Sequence, residues 1–121
     1  MGITIKDIMN HTNEELIPML AQEYYKPIPV DIQTVEQMQQ AGKMLAVITN
    51  EYSYLMVILA TLKAMTRTAK KEDKAKYDEL LGKRDTVDAF VEVLKQEYQG
   101  LSREITTRQE ALKEINMSKS I

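Results

Sequence analysis

The apolar positions of this chain fall into two long trains with helical spacing. From Val35 they recur at Met38, Leu45, Ile48, Tyr52, Leu55, Leu59 and Leu62. Steps of three and four put such residues on one helical face, whereas a half-buried strand would alternate. Residues 31–70 therefore predict one long helix. The second train is more regular: Tyr77, Leu80, Arg84, Val87, Val91, Leu94, Tyr98, Leu101, Ile105, Arg108, Leu112 and Ile115. This is a heptad seam, the pattern of long helices packed side by side, and it predicts a second helix over residues 73–117. Only Arg84 and Arg108 interrupt it. At 1.5 Å per residue each helix runs roughly 60 Å. Between them, "TAKKEDKAK" (Thr68 to Lys76) is polar, with its tip at residues 71–73. A joint this short makes the two helices antiparallel. It sets Tyr52 near Val91 and Leu94, Leu45 near Leu101, and Met38 near Arg108.

The first 30 residues form a smaller unit. Thr12 and Glu15 have the spacing of a capping box, in which each side chain satisfies the other residue's backbone N–H. Leu16, Met19 and Leu20 follow as a short apolar stripe. Pro18 removes a donor and is expected to bend or shorten this helix. "KPIPV" (Lys26 to Val30) is held extended by its prolines and reads as a stiff connector. Thr34 with Gln37 repeats the capping box at the head of the first long helix, with Asp31 as the alternative cap. The expected organisation is an arm and Pro-rich connector over 1–30 and a helical hairpin over 31–121, one domain overall. The expected fold class is all-α: a short N-terminal helical arm plus a long antiparallel helical hairpin, assembled into an oligomeric helical bundle.

The expectation of an oligomer comes from "NEYSYLMVILATLKAM" (Asn50 to Met65). Between Tyr52 and Leu62 only Ser53 and Thr61 are polar, and a helix apolar nearly all round is buried on several sides. A hairpin covers one stripe. Tyr54, Met56, Val57, Ile58 and Met65 lie off that stripe and are the expected interface with other copies. A two-fold dimer is the commonest arrangement, and a higher ring is the alternative. A membrane span is not expected. The uninterrupted apolar run is about eleven residues against roughly 20 needed, and Asn50, Glu51 and Lys63 would be costly at lipid depth.

Composition narrows the chemistry. The chain has 121 residues, which fits a single domain, and a formal net charge of −2, unlike proteins that coat nucleic acid generally. It has no Cys, and His11 is its single histidine. Thiolate chemistry is excluded and a His-based metal site within one chain is not expected. The eight Met residues read as core filler. No phosphate-cradling glycine loop, dinucleotide fingerprint or catalytic triad is present. No catalytic residue, metal or cofactor is expected. "MGITIKDIMN" has no apolar secretory core, so a cytoplasmic setting is expected.

Two groups of side chains are candidates for binding. Arg84 and Arg108 occupy seam positions where Leu or Ile would pack better. They either fix register by pairing with Glu51, Glu36 or another copy's carboxylate, or take an anion in the forked guanidinium geometry. Arg103 lies beside Arg108, with Ser102, Thr106 and Thr107 adding hydroxyls, and Tyr52 or Tyr98 could supply a stacking surface. Glu51, in apolar surroundings, should have an Arg partner. The second group is the joint itself. From Lys63 to Arg84 there are eight Lys or Arg against four acids, while the remainder of the chain holds eight basic and fourteen acidic residues. Lys63, Arg67, Lys70, Lys71, Lys74 and Lys76 make this end of the hairpin a candidate for non-specific phosphate contacts. Tyr77 is its one aromatic, which argues against base stacking. Gly42, Gly82 and Gly100 lie inside the long helices and are expected at close helix crossings, which would offset their poor propensity.

Roughly the last 45 residues resemble small all-helical proteins encoded by phages and prophages. The likeness rests on Tyr98, Leu101, Ser102 and Arg103, then Arg108, Gln109 and Glu110, and finally Asn116 and Met117. It implies an accessory role in a host cell's cytoplasm. The leading expectation is a host-defence antagonist that captures a host protein or a small anionic signal such as a nucleotide. The alternatives are a replication or recombination accessory protein touching nucleic acid through the basic tip, and a structural assembly factor.

Overall fold

The computed structural model describes residues 2–25 and 32–119, without the side chains of residues 112 and 114–119. The described residues form four helices and no strand: α1 (Ile5–Met9), α2 (Asn13–Tyr24), α3 (Val35–Glu72) and α4 (Lys74–Lys119). The all-α hairpin with a short N-terminal arm is therefore as the sequence pattern requires. The connector Lys26–Val30, the alternative cap Asp31 and the seam side chains of Leu112 and Ile115 lie outside the described residues.

Three of the four helices start on the same local device. Thr4 with Asp7, Thr12 with Glu15 and Thr34 with Gln37 each close a complete capping box. The Thr4 and Thr12 backbone N–H groups donate to the Asp7 and Glu15 carboxylates at 2.9 and 3.1 Å. These bonds, reinforced by the threonine hydroxyls, hold both carboxyls below their usual range. α2 does not stop at Pro18 but runs on to Tyr24, so the expected shortening does not occur. The Pro18 ring lies on the exposed side of the helix.

The hairpin joint lies within the expected tip at residues 71–73. Asp73 is the single residue between α3 and α4, in an extended conformation (φ −154°, ψ 107°). Its N–H donates to the Ala69 carbonyl at 2.8 Å. Its carboxylate accepts from the N–H groups of Ala75 and Lys76 at 3.1 and 3.3 Å. One residue thus closes α3 and opens α4, satisfying end groups that no helix can satisfy internally.

Packing divides the molecule lengthwise. The larger core joins Leu55, Leu59 and Leu62 of α3 to Leu80, Val87, Val91 and Leu94 of α4, and takes in Ile3, Ile8, Leu16, Leu20 and Tyr24 of the arm. The smaller one, at the other end of the hairpin, is Ile32, Ala41, Ile48, Leu101 and Ile105, with Met38, Leu45 and Tyr98 against it. Leu45 and Leu101 share a core, as the expected register requires, and so do Tyr52, Val91 and Leu94. Asn13 lies against Gly82, and the Tyr24 and Phe90 rings are 6.4 Å apart, so α2 runs parallel to α4.

Candidate functional site

The arm is fastened to the hairpin by polar contacts that no sequence motif announced. Lys83 sits on α4 with 2% of its surface exposed. Its ammonium donates to the Ile8 carbonyl at 3.0 Å and to the His11 carbonyl. These groups lie where α1 ends, so a buried cation meets the negative end of a helix turn. The Glu79 carboxylate is 3.8 Å away and largely exposed. Sequence position had counted Lys83 among the tip cations; the fold turns it inward instead. A second fastening holds the residues that precede α1. The Ile3 N–H donates to the Tyr24 hydroxyl at 2.7 Å, and the Tyr54 hydroxyl donates to the Ile3 carbonyl at 2.7 Å. Burial pushes the Tyr24 hydroxyl up to about 12.

What the arm leaves uncovered is a broad face of α3. Val57 is 64% exposed, Val47 46%, Met56 41% and Tyr54 37%. Ala46, Asn50, Ser53, Ala60 and Thr61 complete this surface, and none of these residues is charged. Of the most apolar 18-residue stretch of α3, only 28% is buried. Two of the expected interface residues are used internally: Ile58 is buried in the larger core, and Met65 packs partly buried against it. Tyr54 is shared: its ring lies beside Gly2 of the arm, its hydroxyl is bonded to Ile3, and the remainder is exposed. Met56 and Val57 stand free of the hairpin.

The arginines do not converge. Arg84 meets Asp85 at 3.2 Å, Arg108 meets Glu104 at 3.1 Å, and Arg103 donates to the Gln99 carbonyl at 3.4 Å, all within α4. Along the helix Arg84 and Arg108 are about 36 Å apart, and the step from Arg103 to Arg108 turns roughly 140°. One small anion cannot touch all three on a single copy. Tyr52 packs on the larger core and Tyr98 on the smaller, so they form no joint stacking platform. Glu51 is half-buried. Glu97 has one carboxylate oxygen buried without a hydrogen-bond partner, and burial raises its carboxyl above the usual range.

At the joint, Lys63, Arg67, Lys70, Lys71, Lys74 and Lys76 are all exposed. Among the described residues none of the six forms an ion pair. Arg67, Lys70 and Lys71 share an open hollow with Ala64, Thr68 and Glu72. No group of three or more His, Asp or Glu residues that could hold a metal ion occurs among the described residues. No family model, curated protein or solved structure matches the chain.

Proposed function

We propose that this protein is a non-catalytic helical binding protein that acts as a homo-oligomer, two copies meeting through the uncovered face of α3. The observation that supports it most is that this face carries no charge at any exposed position between Lys43 and Lys63 and is mostly apolar, with only Asn50, Ser53 and Thr61 polar. A second copy of the same face meets it without like-charge repulsion, and apolar burial drives the contact. α3 is the one helix among the described residues long and apolar enough to cross a membrane. Its Leu55, Leu59 and Leu62 are already packed in the hairpin core beside a charged α4, which favours assembly in water over insertion. Light scattering at micromolar concentration should give a dimer or higher species. Val57→Glu should convert it to a monomer of unchanged helicity, because Val57 lies outside the chain's own core. A wild-type monomer overturns the reading.

The six unpaired cations at the joint favour a second activity for the same assembly, contact with a phosphate-rich partner. This is the accessory role at nucleic acid that the phage-type resemblance of the C-terminal residues also allows. Binding to DNA should weaken steeply with salt, as counterion release demands, and should disappear in Lys70→Glu/Lys71→Glu/Lys74→Glu. Capture of a nucleotide-like signal between copies would instead raise the thermal midpoint, an effect lost in Arg108→Ala.

A further inference from the structure

The arm creates a groove that the hairpin alone would not have. α2 lies alongside α4, and between them runs a furrow of about 430 Å³ lined by Ile17 and Leu20 from α2 and Thr86, Ala89, Phe90 and Val93 from α4, with Asp85 at one end. Its floor is core: Leu20 is fully buried, and Phe90 leans on Tyr24. Its walls are open, with Ile17 59% and Val93 42% exposed. Thr86 has already spent its hydroxyl on the Gly82 carbonyl at 2.9 Å, so the lining offers almost no polar partner. The surroundings are different. Asp88 and Glu92 lie on the exposed side of α4, and Glu14 precedes Ile17 by one turn of α2. Asp85 and Glu92 are balanced locally by Arg84 and Lys95. Glu14 and Asp88 form no ion pair among the described residues.

From this arrangement we infer that the α2–α4 groove docks a short amphipathic helix whose apolar stripe is flanked by Lys or Arg. An apolar furrow between two parallel helices is completed by a third helix, which offers anchors at i, i+3, i+4 and i+7. The groove's lining on α4 runs from Asp85 to Val93, about 12 Å, so it accommodates about two helical turns, the reach of anchors from i to i+7. α2 carries Glu14, Glu15 and Glu23 and no Lys or Arg, and Asp85 lines the α4 side, so the flanking charge selected is positive. These carboxylates also set this surface apart from the α3 face, whose exposed positions are uncharged. The inference does not depend on self-association through α3.

The test uses the full chain and a labelled amphipathic peptide of about 14 residues, with Leu at i, i+3, i+4 and i+7 and Lys elsewhere, followed by fluorescence anisotropy. A twin peptide with Glu in place of Lys is the control. The Lys peptide should bind saturably and at least tenfold more tightly than the Glu peptide. Val93→Asp should weaken it at least tenfold, even though this variant adds negative charge. Plain charge attraction would make Val93→Asp bind the peptide as well or better, and that result overturns the proposal. Glu14→Lys/Asp88→Lys should remove the preference for the Lys peptide while leaving the melting transition in place. Val57→Glu, aimed at the α3 face, should leave peptide binding intact. If Val93→Asp instead abolishes self-association, the groove belongs to a second copy and the proposal falls.

Discussion

Lys83 is a buried cation held by two main-chain carbonyls rather than by a carboxylate, and it ties α4 to the arm. In Lys83→Met the aliphatic stem keeps its packing, but the His11 carbonyl loses its ammonium donor and the Ile8 carbonyl is left with the His11 N–H alone. Leaving buried acceptors unsatisfied costs about 1–3 kcal/mol. The urea midpoint should fall accordingly, and protease cleavage should begin in the arm. Glu79→Ala should change little, since exposed pairs contribute roughly 0–1 kcal/mol. Tyr24 gives the molecule an alkaline limit. Its hydroxyl is raised by burial from 10 to about 12, so the folded state holds the proton more tightly than the unfolded chain does. Its contribution is complete below pH 10 and is lost as pH rises toward 12. Phenolate absorbance and stability measured together across that window should show Tyr24 ionising only as the arm releases. Neither residue stood out in the sequence. Lys83 is one Lys among many near the joint, and nothing local shows that its neighbours in space are residues 8 and 11.

The elements themselves were legible to within a few residues wherever a local rule governs them. Thr12 with Glu15 and Thr34 with Gln37 mark real helix starts. Thr4 with Asp7 carries the same signal and would have revealed α1. The joint fell where the pattern put it: predicted helix bounds at 70 and 73 compare with Glu72 and Lys74, and good helix formers run up to Asp73 from both sides because Asp73 alone caps both ends. The glycines correct the sequence view most clearly. Of the three inside the long helices, only Gly82 meets another element, the Asn13 side chain of α2; Gly42 and Gly100 face open space. Close crossing therefore explains Gly82 and not the other two. Gly42→Ala and Gly100→Ala should each raise stability by about 0.5–1 kcal/mol, the helix propensity difference. Denaturant unfolding checks this, and a loss of stability at either position would show a neighbour that the isolated chain lacks.

At the scale of the molecule the hairpin is unevenly built. The larger core draws on α2, α3, α4 and the arm's first residues, while the smaller draws mainly on α3 and α4. Local opening is easiest where few apolar contacts must be broken. Hydrogen exchange should therefore be slow across residues 55–69 and 80–94 and faster across 35–48 and 101–110. Equal protection of both ends would mean that the smaller core is reinforced by another copy. The same unevenness places the candidate surfaces. The α2–α4 groove borders the larger core, the cations cluster at the joint, and the open α3 face extends over both cores, from Ala46 to Thr61.

By itself the sequence determined the helices, their caps and the antiparallel pairing, because heptad spacing and Thr-led boxes act over three to seven residues. It also set the surplus of apolar surface on α3, since too few polar positions exist to hide it. Only the tertiary structure decided how that surplus is shared. It drew Ile58 into the core, left Val57 outside, and bonded Tyr54 to Ile3. It also brought α2 beside α4 to open the groove. These outcomes depend on contacts between residues some 50 to 75 apart in the chain, as with Tyr54 and Ile3 or Lys83 and Ile8. No local pattern encodes where such a distant partner comes to lie.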